Sequence, residues 1–438
     1  MNSRCRLRAA VLEIGFSIAA TLLLATSACA IPPPPQTFTV NTNFDNWDDT
    51  PGDGICDDGL GFCTLRAAVM EANRSAGDVI IELPADTYTL IKPVAGIDEN
   101  TGDLNLTAPA AGNPVITLTG AGSTTTIING NATDRVLTID AGRTAVIGNV
   151  TLRNGDPVGF GGGIHNEGVL TLTNVVIRDN HVAGAYAGGG IYNANQVGIY
   201  SSTITSNVSD NGYGGGISNV GGLTIVKSTI DHNHSYLGGA FFSAGVAVMI
   251  NSTLSDNHAL RDGGGIYNSG TSNIYSSTIA YNEADADANS VGIGAGIYNY
   301  PGVTLNLRNS LVAGNYLAGM QPYEDCAGTI GMYGNNKFSP TANCTVAAGS
   351  PGTATPLDSI YEPGILTGNG GPTETIALAS PSSMIGGGVA CVDQNSVHLA
   401  TDQRGRPRPP SPPDPLNSTC DIGAFEYNEI FADGVEVP

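Results

Sequence analysis

The stretch "GGGIYNANQVGIYSSTITSN", residues 188–207, is followed 26 positions later by "GGGISNVGGLTIVKSTIDHN", residues 214–233. Both carry a glycine line, an aliphatic residue three places in, two further aliphatic slots and a closing asparagine. The glycine line recurs as "GGGIHN" (161–166), "GGAFFS" (238–243), "GGGIYN" (263–268) and "GAGIYN" (294–299). Its aliphatic or aromatic residue falls at Ile164, Ile191, Ile217, Phe241, Ile266 and Ile297. Self-similarity at about 25 residues is the mark of a solenoid.

In the second half of each unit one apolar slot holds Ile147, Leu172, Ile199, Ile225, Met249, Ile274 and Leu307. Another, five residues on, holds Leu152, Ile177, Ile204, Ile230, Leu254, Ile279 and Val312. An odd separation places two residues on opposite faces of one straight strand, so two buried slots require a corner between them. Asn149, Asn174, Ser201, Asn251, Ser276 and Asn309 stand there, with Lys227 in one unit. Three residues beyond the second slot come Asn180, Asn207, Asn233, Asn257, Asn282 and Asn315. An asparagine tolerates a left-handed backbone, and a stack of asparagines can hydrogen-bond from coil to coil.

Short strands and corners in units dominated by Gly, Ser, Thr and Ile predict an all-β fold, a right-handed parallel β-helix, rather than a leucine-rich solenoid. "NPVITLTGAG", "TTTIINGN" and "DRVLTIDAG" extend the β-branched runs upstream, so coils start near Val79 and number nine or ten. Asp231 and His232 occupy positions that sister units fill with Thr-Ser, Ser-Asp or Ala-Tyr, which makes them decoration on a repeated turn. The triple glycines recur without a GK[ST] ending, so they serve close approach of coils and not phosphate binding.

The first 30 residues have the charged, apolar and small-residue regions of an export signal. A lipid anchor at Cys29 is the alternative to free secretion, although Thr26 stands where a lipobox has leucine. Without this segment the chain keeps 14 basic and 38 acidic residues, a net charge of −24. Nucleic acid and anionic lipid are poor partners for such a surface, and no later apolar run has the length of a membrane helix. Cys56, Cys63, Cys326, Cys344, Cys391 and Cys420 form three sequence-local pairs that read as disulfides of an exported chain.

The segment "CTLRAAVMEANRS" supplies a capping helix, with Thr64 as N-cap, Leu65, Ala68, Val69 and Ala72 on one face, and Arg66, Glu71 and Arg74 largely elsewhere. The chain thus divides into the export signal (1–30), a Pro-rich linker (31–37), an N-terminal cap (38–92), the β-helix (93–320), further coils and loops (321–400), and a closing segment with a tail (401–438).

Residues 38–90, around "CTLRAAVMEANRS", resemble the CSLREA domain of exported bacterial β-helix proteins, with Ala67 in place of the motif's glutamate. The "GGxI" and "IxxN" lines are similar to the repeats of polymorphic outer-membrane proteins. "TDQRGRPRPPSPPDPLNSTCDIGAFEYN", residues 401–428, resembles the closing segment of the choice-of-anchor Q group. These resemblances imply export to the medium or outer-membrane surface of a bacterium and a pectin-lyase-like fold, and they imply no reaction.

Two function classes compete. A polysaccharide lyase needs clustered carboxylates for calcium and a basic residue for proton abstraction, and "TIDHN" has no basic cluster beside it. A hydrolase of polygalacturonase type would show GHG and RIK motifs, which the sequence lacks. The reading favoured here is a binding protein, adhesin-like, for a polysaccharide or cell-surface glycan. Alternation along the glycine line turns His165, Tyr192, Ser218, Phe242, Tyr267 and Tyr298 outward, and Tyr192, Phe242, Tyr267 and Tyr298 form the candidate binding stripe. No cofactor is required, with one candidate: Ca²⁺ in the loop "DNWDDTPGDGICDDG", held by Asp45, Asp48, Asp49 and Asp53.

Overall fold

The computed structural model describes residues 34–92, 102–319, 323–339, 344–356, 364–380, 382–409 and 419–427. The export signal, Cys29 and the extreme C-terminal tail lie outside them. Among the described residues three long parallel sheets run the length of a β-helix, with twelve, eleven and nine strands. Each aliphatic slot of the repeat forms one column. Ile147, Leu172, Ile199, Ile225, Met249, Ile274 and Leu307 stack in register in the twelve-stranded sheet. Leu152 to Val312 stack in the eleven-stranded sheet, and Ile164 to Ile297 in the nine-stranded sheet. All point into one continuous apolar core and are fully buried.

The corner between the first two slots bends as expected: Asn149, Asn174, Ser201, Lys227, Asn251, Ser276 and Asn309 all have φ between +45° and +58°. The second corner differs from expectation. Its left-handed residue is the one before the asparagine, namely Asp179, Ser206, His232, Asp256 and Tyr281. The asparagine itself is buried and faces inward. Asn180, Asn207, Asn233, Asn257 and Asn282 each donate through Nδ2 to Oδ1 of the next coil's asparagine at 2.9 Å. Their backbone amides donate to the same oxygens. Asn315 ends the ladder on Asp325 Oδ1 at 3.1 Å. A second ladder links Asn166, Asn193 and Asn219 at 2.7 Å per step. A third uses the buried hydroxyls of Ser202, Ser228, Ser252, Ser277 and Ser310 as acceptors for the preceding coil's amides.

Two different constraints fix the glycines. Gly188 and Gly214 have φ of +78° and +70°, and a Cβ on them would come within 2.4 and 2.1 Å of the carbonyls of Ile191 and Ile217. Gly189 is instead pressed against the next coil, 2.5 Å from the carbonyl of Gly215 for an added Cβ.

A fourth parallel sheet, of six short strands from His181–Val182 to Tyr316–Leu317, adds a face that the three-strand reading of the repeat omits. Its inward positions are Val182, Ser209, Ser235, Ala259, Ala284 and Leu317. Small and polar residues dominate that column, so no apolar slot announced it.

The cap helix α1, Leu65–Arg74, begins at Thr64, whose hydroxyl accepts from Ala67 N. A strand at Gln36–Thr39 precedes it and pairs outside Val79–Leu83, so the stack begins before Val79. Arg66 and Glu71 are buried, contrary to their expected outward placement. The loop at 43–63 folds over the helix and needs internal partners for its polar groups. Arg66 donates to Asp45 at 2.6 Å and to the carbonyls of Gly102 and Asp103, while Glu71 accepts from the amides of Gly52 and Gly54.

The three expected disulfides form: Cys56–Cys63, Cys326–Cys344 and Cys391–Cys420. The C-terminal segment does more than close the end. It lies along the outer face of the eleven-stranded sheet, where Gln403 donates to Thr229 Oγ1 at 2.8 Å and accepts from Thr253 Oγ1 at 2.7 Å. Ala424 N donates to Thr278 Oγ1, and Arg408 joins Asn251 Oδ1 to Glu426. Leu311 and Ala313 pack there with Leu378, Met384, Ile422 and Phe425 as a second apolar core.

Burial pushes Asp325, at the end of the first ladder, up to about 6. The folded chain therefore holds this proton more tightly than the unfolded chain. The group's contribution to stability is complete below the unfolded value of about 3.9 and is lost as pH rises through about 6. The melting temperature of Asp325→Asn, which cannot ionise, should fall less between pH 4 and pH 7 than that of the parent, as scanning calorimetry would show. Equal falls would contradict this role.

Candidate functional site

Alternation along three-residue strands such as Ile191–Asn193 and Ile266–Asn268 buries the first and third residues and turns the middle one outward. Parallel register then aligns His165, Tyr192, Ser218, Phe242, Tyr267 and Tyr298 in one column. The four aromatic residues expected to form a stripe are therefore brought together on one face. Phe242 and Tyr267 stack with centroids 5.4 Å apart, Tyr267 and Tyr298 stand 4.8 Å apart, and His165 lies 5.2 Å from Tyr192.

Ser218 interrupts the column, and residues from outside the register repair it. Tyr213 stacks on Phe242 at 4.9 Å, while Phe160 packs on Tyr192 at 4.7 Å and meets Tyr186 edge-on. Phe160 and Tyr213 stand immediately before the glycine line, and their aromatic character at that position was the signal available in the sequence. They and Tyr186 are the more exposed members, at 38%, 43% and 39%. The column residues are half-buried because each ring covers its neighbour. Burial pushes the Tyr267 phenol up to about 12 and raises Tyr192 and Tyr298 as well. All three hydroxyls thus stay protonated at neutral pH and can both donate and accept hydrogen bonds.

Polar groups border the stripe. At one end His165 Nε2 lies 3.3 Å from Glu167 Oε1. At the other, Asp262 occupies the position before the glycines that Phe160, Ala187, Tyr213, Leu237 and Ile293 fill elsewhere. Asp262 accepts from Ile293 N at 3.1 Å, and Glu324 accepts from the adjacent amide of Gly294 at 2.9 Å. Burial raises the Asp262 carboxyl despite the neighbouring Arg261. Ring edges, hydroxyls and carboxyls on one ridge are suited to an amphipathic, hydroxyl-rich ligand.

The acidic loop is arranged differently. Asp45 is buried against Arg66 and also accepts from the amides of Ile91 and Lys92. Asp48 is buried and accepts from Thr50 N and Asp57 N. Asp49 and Asp53 are exposed, and Asp53 accepts from Ile55 N. Among the described residues no group of three or more His, Cys, Asp or Glu side chains is placed to hold a metal ion. Asp231 accepts from Thr205 of the previous coil and lies 2.6 Å from His232 Nδ1, with the His232 ring 58% exposed. An open cavity of about 300 Å³ is lined by Asn129, Asn131, Asn154, Asp156, Asp179 and His181. The His181 ring there spans Asp156 at 2.9 Å and Asp210 at 3.1 Å.

Residues 158–339 match the family model described as a right handed beta helix region, which agrees with the parallel sheets and fixes the hand of the coils. No curated protein and no solved structure matches the sequence.

The Asp45–Arg66 pair gives a direct test of the cap. Asp45→Ala removes the Asp45 carboxylate from the buried Arg66 guanidinium and should cost about 3–5 kcal/mol in urea unfolding. A loss under about 1 kcal/mol would show that the loop is not anchored there.

Proposed function

We propose that this chain is an exported surface or secreted protein that binds a glycan along the aromatic ridge of its nine-stranded sheet, in the manner of an adhesin. One observation carries the reading: the side chains of Tyr192, Phe242, Tyr267 and Tyr298 share one outward register column, extended by Phe160 and Tyr213. The core requires only the inward residues of those strands, so the outward aromatics are not needed to fill it. Rings with few rotatable bonds and a polar tip give contact area at low entropic cost. The strong negative charge of the chain favours a neutral glycan over a polyuronate. Three disulfides and the resemblance of both ends to exported β-helix proteins support a site of action outside the cell.

A glycan array probed with the protein, run beside an assay for released reducing ends, tests this reading. Binding without release is expected. Replacing Tyr192 and Tyr267 together by Ala should cost on the order of 1–2 kcal/mol of affinity per ring for the glycan found. The fold should persist because the buried Ile191 and Ile266 are untouched. Unchanged affinity in the double variant would reduce the stripe to a stabilising ladder, and release of reducing ends would favour a polysaccharide-degrading enzyme.

A further inference from the structure

The outer face of the six-stranded sheet carries a second column, chemically unlike the first. Register aligns His181, Val208, His234, His258, Glu283 and Tyr316 one above another. Three of the chain's six histidines thus stand in a single file. His234 and His258 are direct neighbours in it, one rung of about 4.8 Å apart.

We propose that His234 and His258 form a two-imidazole site for a divalent transition-metal cation of the Zn²⁺ type. His258 Nδ1 lies 2.6 Å from Glu283 Oε2, on the rung above. An ionised carboxylate only accepts, so Nδ1 carries the hydrogen, and the neutral ring keeps its lone pair on Nε2. The two nitrogens leave the ring at opposite edges. A ring tethered to the rung above through Nδ1 therefore turns Nε2 away from Glu283, toward the rung of His234. Carboxylate, imidazole and metal in line is the usual way that a protein orients a histidine ligand and raises its basicity.

His234 is the complementary half. Among the described residues no side-chain hydrogen bond engages its half-buried ring, which leaves its nitrogens open to a ligand. A ring of this kind binds a metal ion only through an unprotonated nitrogen. The charged groups facing it are Asp210 and Glu283, both acidic, which favour an approaching cation. Two nitrogens on one tetrahedral zinc stand roughly 3.3 Å apart, so the rings need only lean together across the rung. Water fills the remaining positions, since among the described residues no third protein ligand converges on the pair. His181 belongs to the same column but has both nitrogens on carboxylates, which removes it from the site. Glu283 acts as a positioning residue.

Titration of the full chain with Zn²⁺ alone, followed by calorimetry, should show one saturable site that is lost as pH is lowered from 7 to 5. His234→Ala and His258→Ala should each weaken it at least tenfold, and His181→Ala should leave it unchanged. Glu283→Ala should weaken it by about tenfold and Glu283→Gln should restore most of that loss, because an amide oxygen still accepts from Nδ1. Absence of saturable binding by about 1 mM Zn²⁺, equal binding in the two histidine variants, or equal loss in His181→Ala would each overturn the proposal. The pH titration of the unmodified protein keeps the test decisive if a variant fails to fold.

Discussion

Parallel coils stacked in register place every side chain directly above its own counterpart, so a buried polar corner can be satisfied only by the same position one coil away. The asparagine ladder from Asn180 to Asn315 is the direct consequence. Each side chain accepts from the coil before it, donates to the coil after it, and returns a hydrogen bond to strand carbonyls such as Ile204 O and Ile230 O. An unpaired buried amide or carbonyl costs about 1–3 kcal/mol, so one faulty rung affects both neighbours. The serine ladder solves the same problem at the first corner. The constraint also explains why the ladder needs an end: Asp325 accepts from both the amide and the side chain of Asn315, and from Ser339 N on its other oxygen.

Strand columns leave outer faces that the chain treats in three ways. The eleven-stranded sheet receives the C-terminal segment, whose Gln403 and Arg408 reach back to coils around 150 residues earlier. The nine-stranded sheet keeps an aromatic ridge in solvent. The six-stranded sheet keeps a file of imidazoles and carboxylates. The proposed glycan and cation sites therefore arise from one property of the fold: a single outward position, repeated coil by coil, becomes a linear surface.

Most of the coil was legible because Ile, Leu and Val recur at fixed intervals and the corners carry Asn or Ser. The tyrosine column followed from the same periodicity. What stayed hidden obeyed other rules. The fourth sheet has inward Ser209, Ser235, Ala259 and Ala284, which make no apolar pattern. Phe160 and Tyr213 join the ridge from outside the register. Arg66 and Glu71 look like the solvent side of an amphipathic helix, and only the overlying loop, a long-range feature, makes their burial sensible. The docking of 401–409 and 419–427 depends on threonines at 229, 253 and 278, which read as ordinary strand residues.

Adjacent residues in one corner separate the ladder from its surroundings: His232 is the exposed left-handed residue and Asn233 the buried rung. The most direct measurement compares the urea unfolding free energies of Asn233→Ala and His232→Ala. Loss of the rung orphans the backbone amide of Asn207, removes one of the acceptors of its side chain and should cost roughly 2–4 kcal/mol, whereas the His232 variant should lose less than about 1 kcal/mol. Equal, small losses in the two variants would contradict the claim that the polar ladder holds the coils in register.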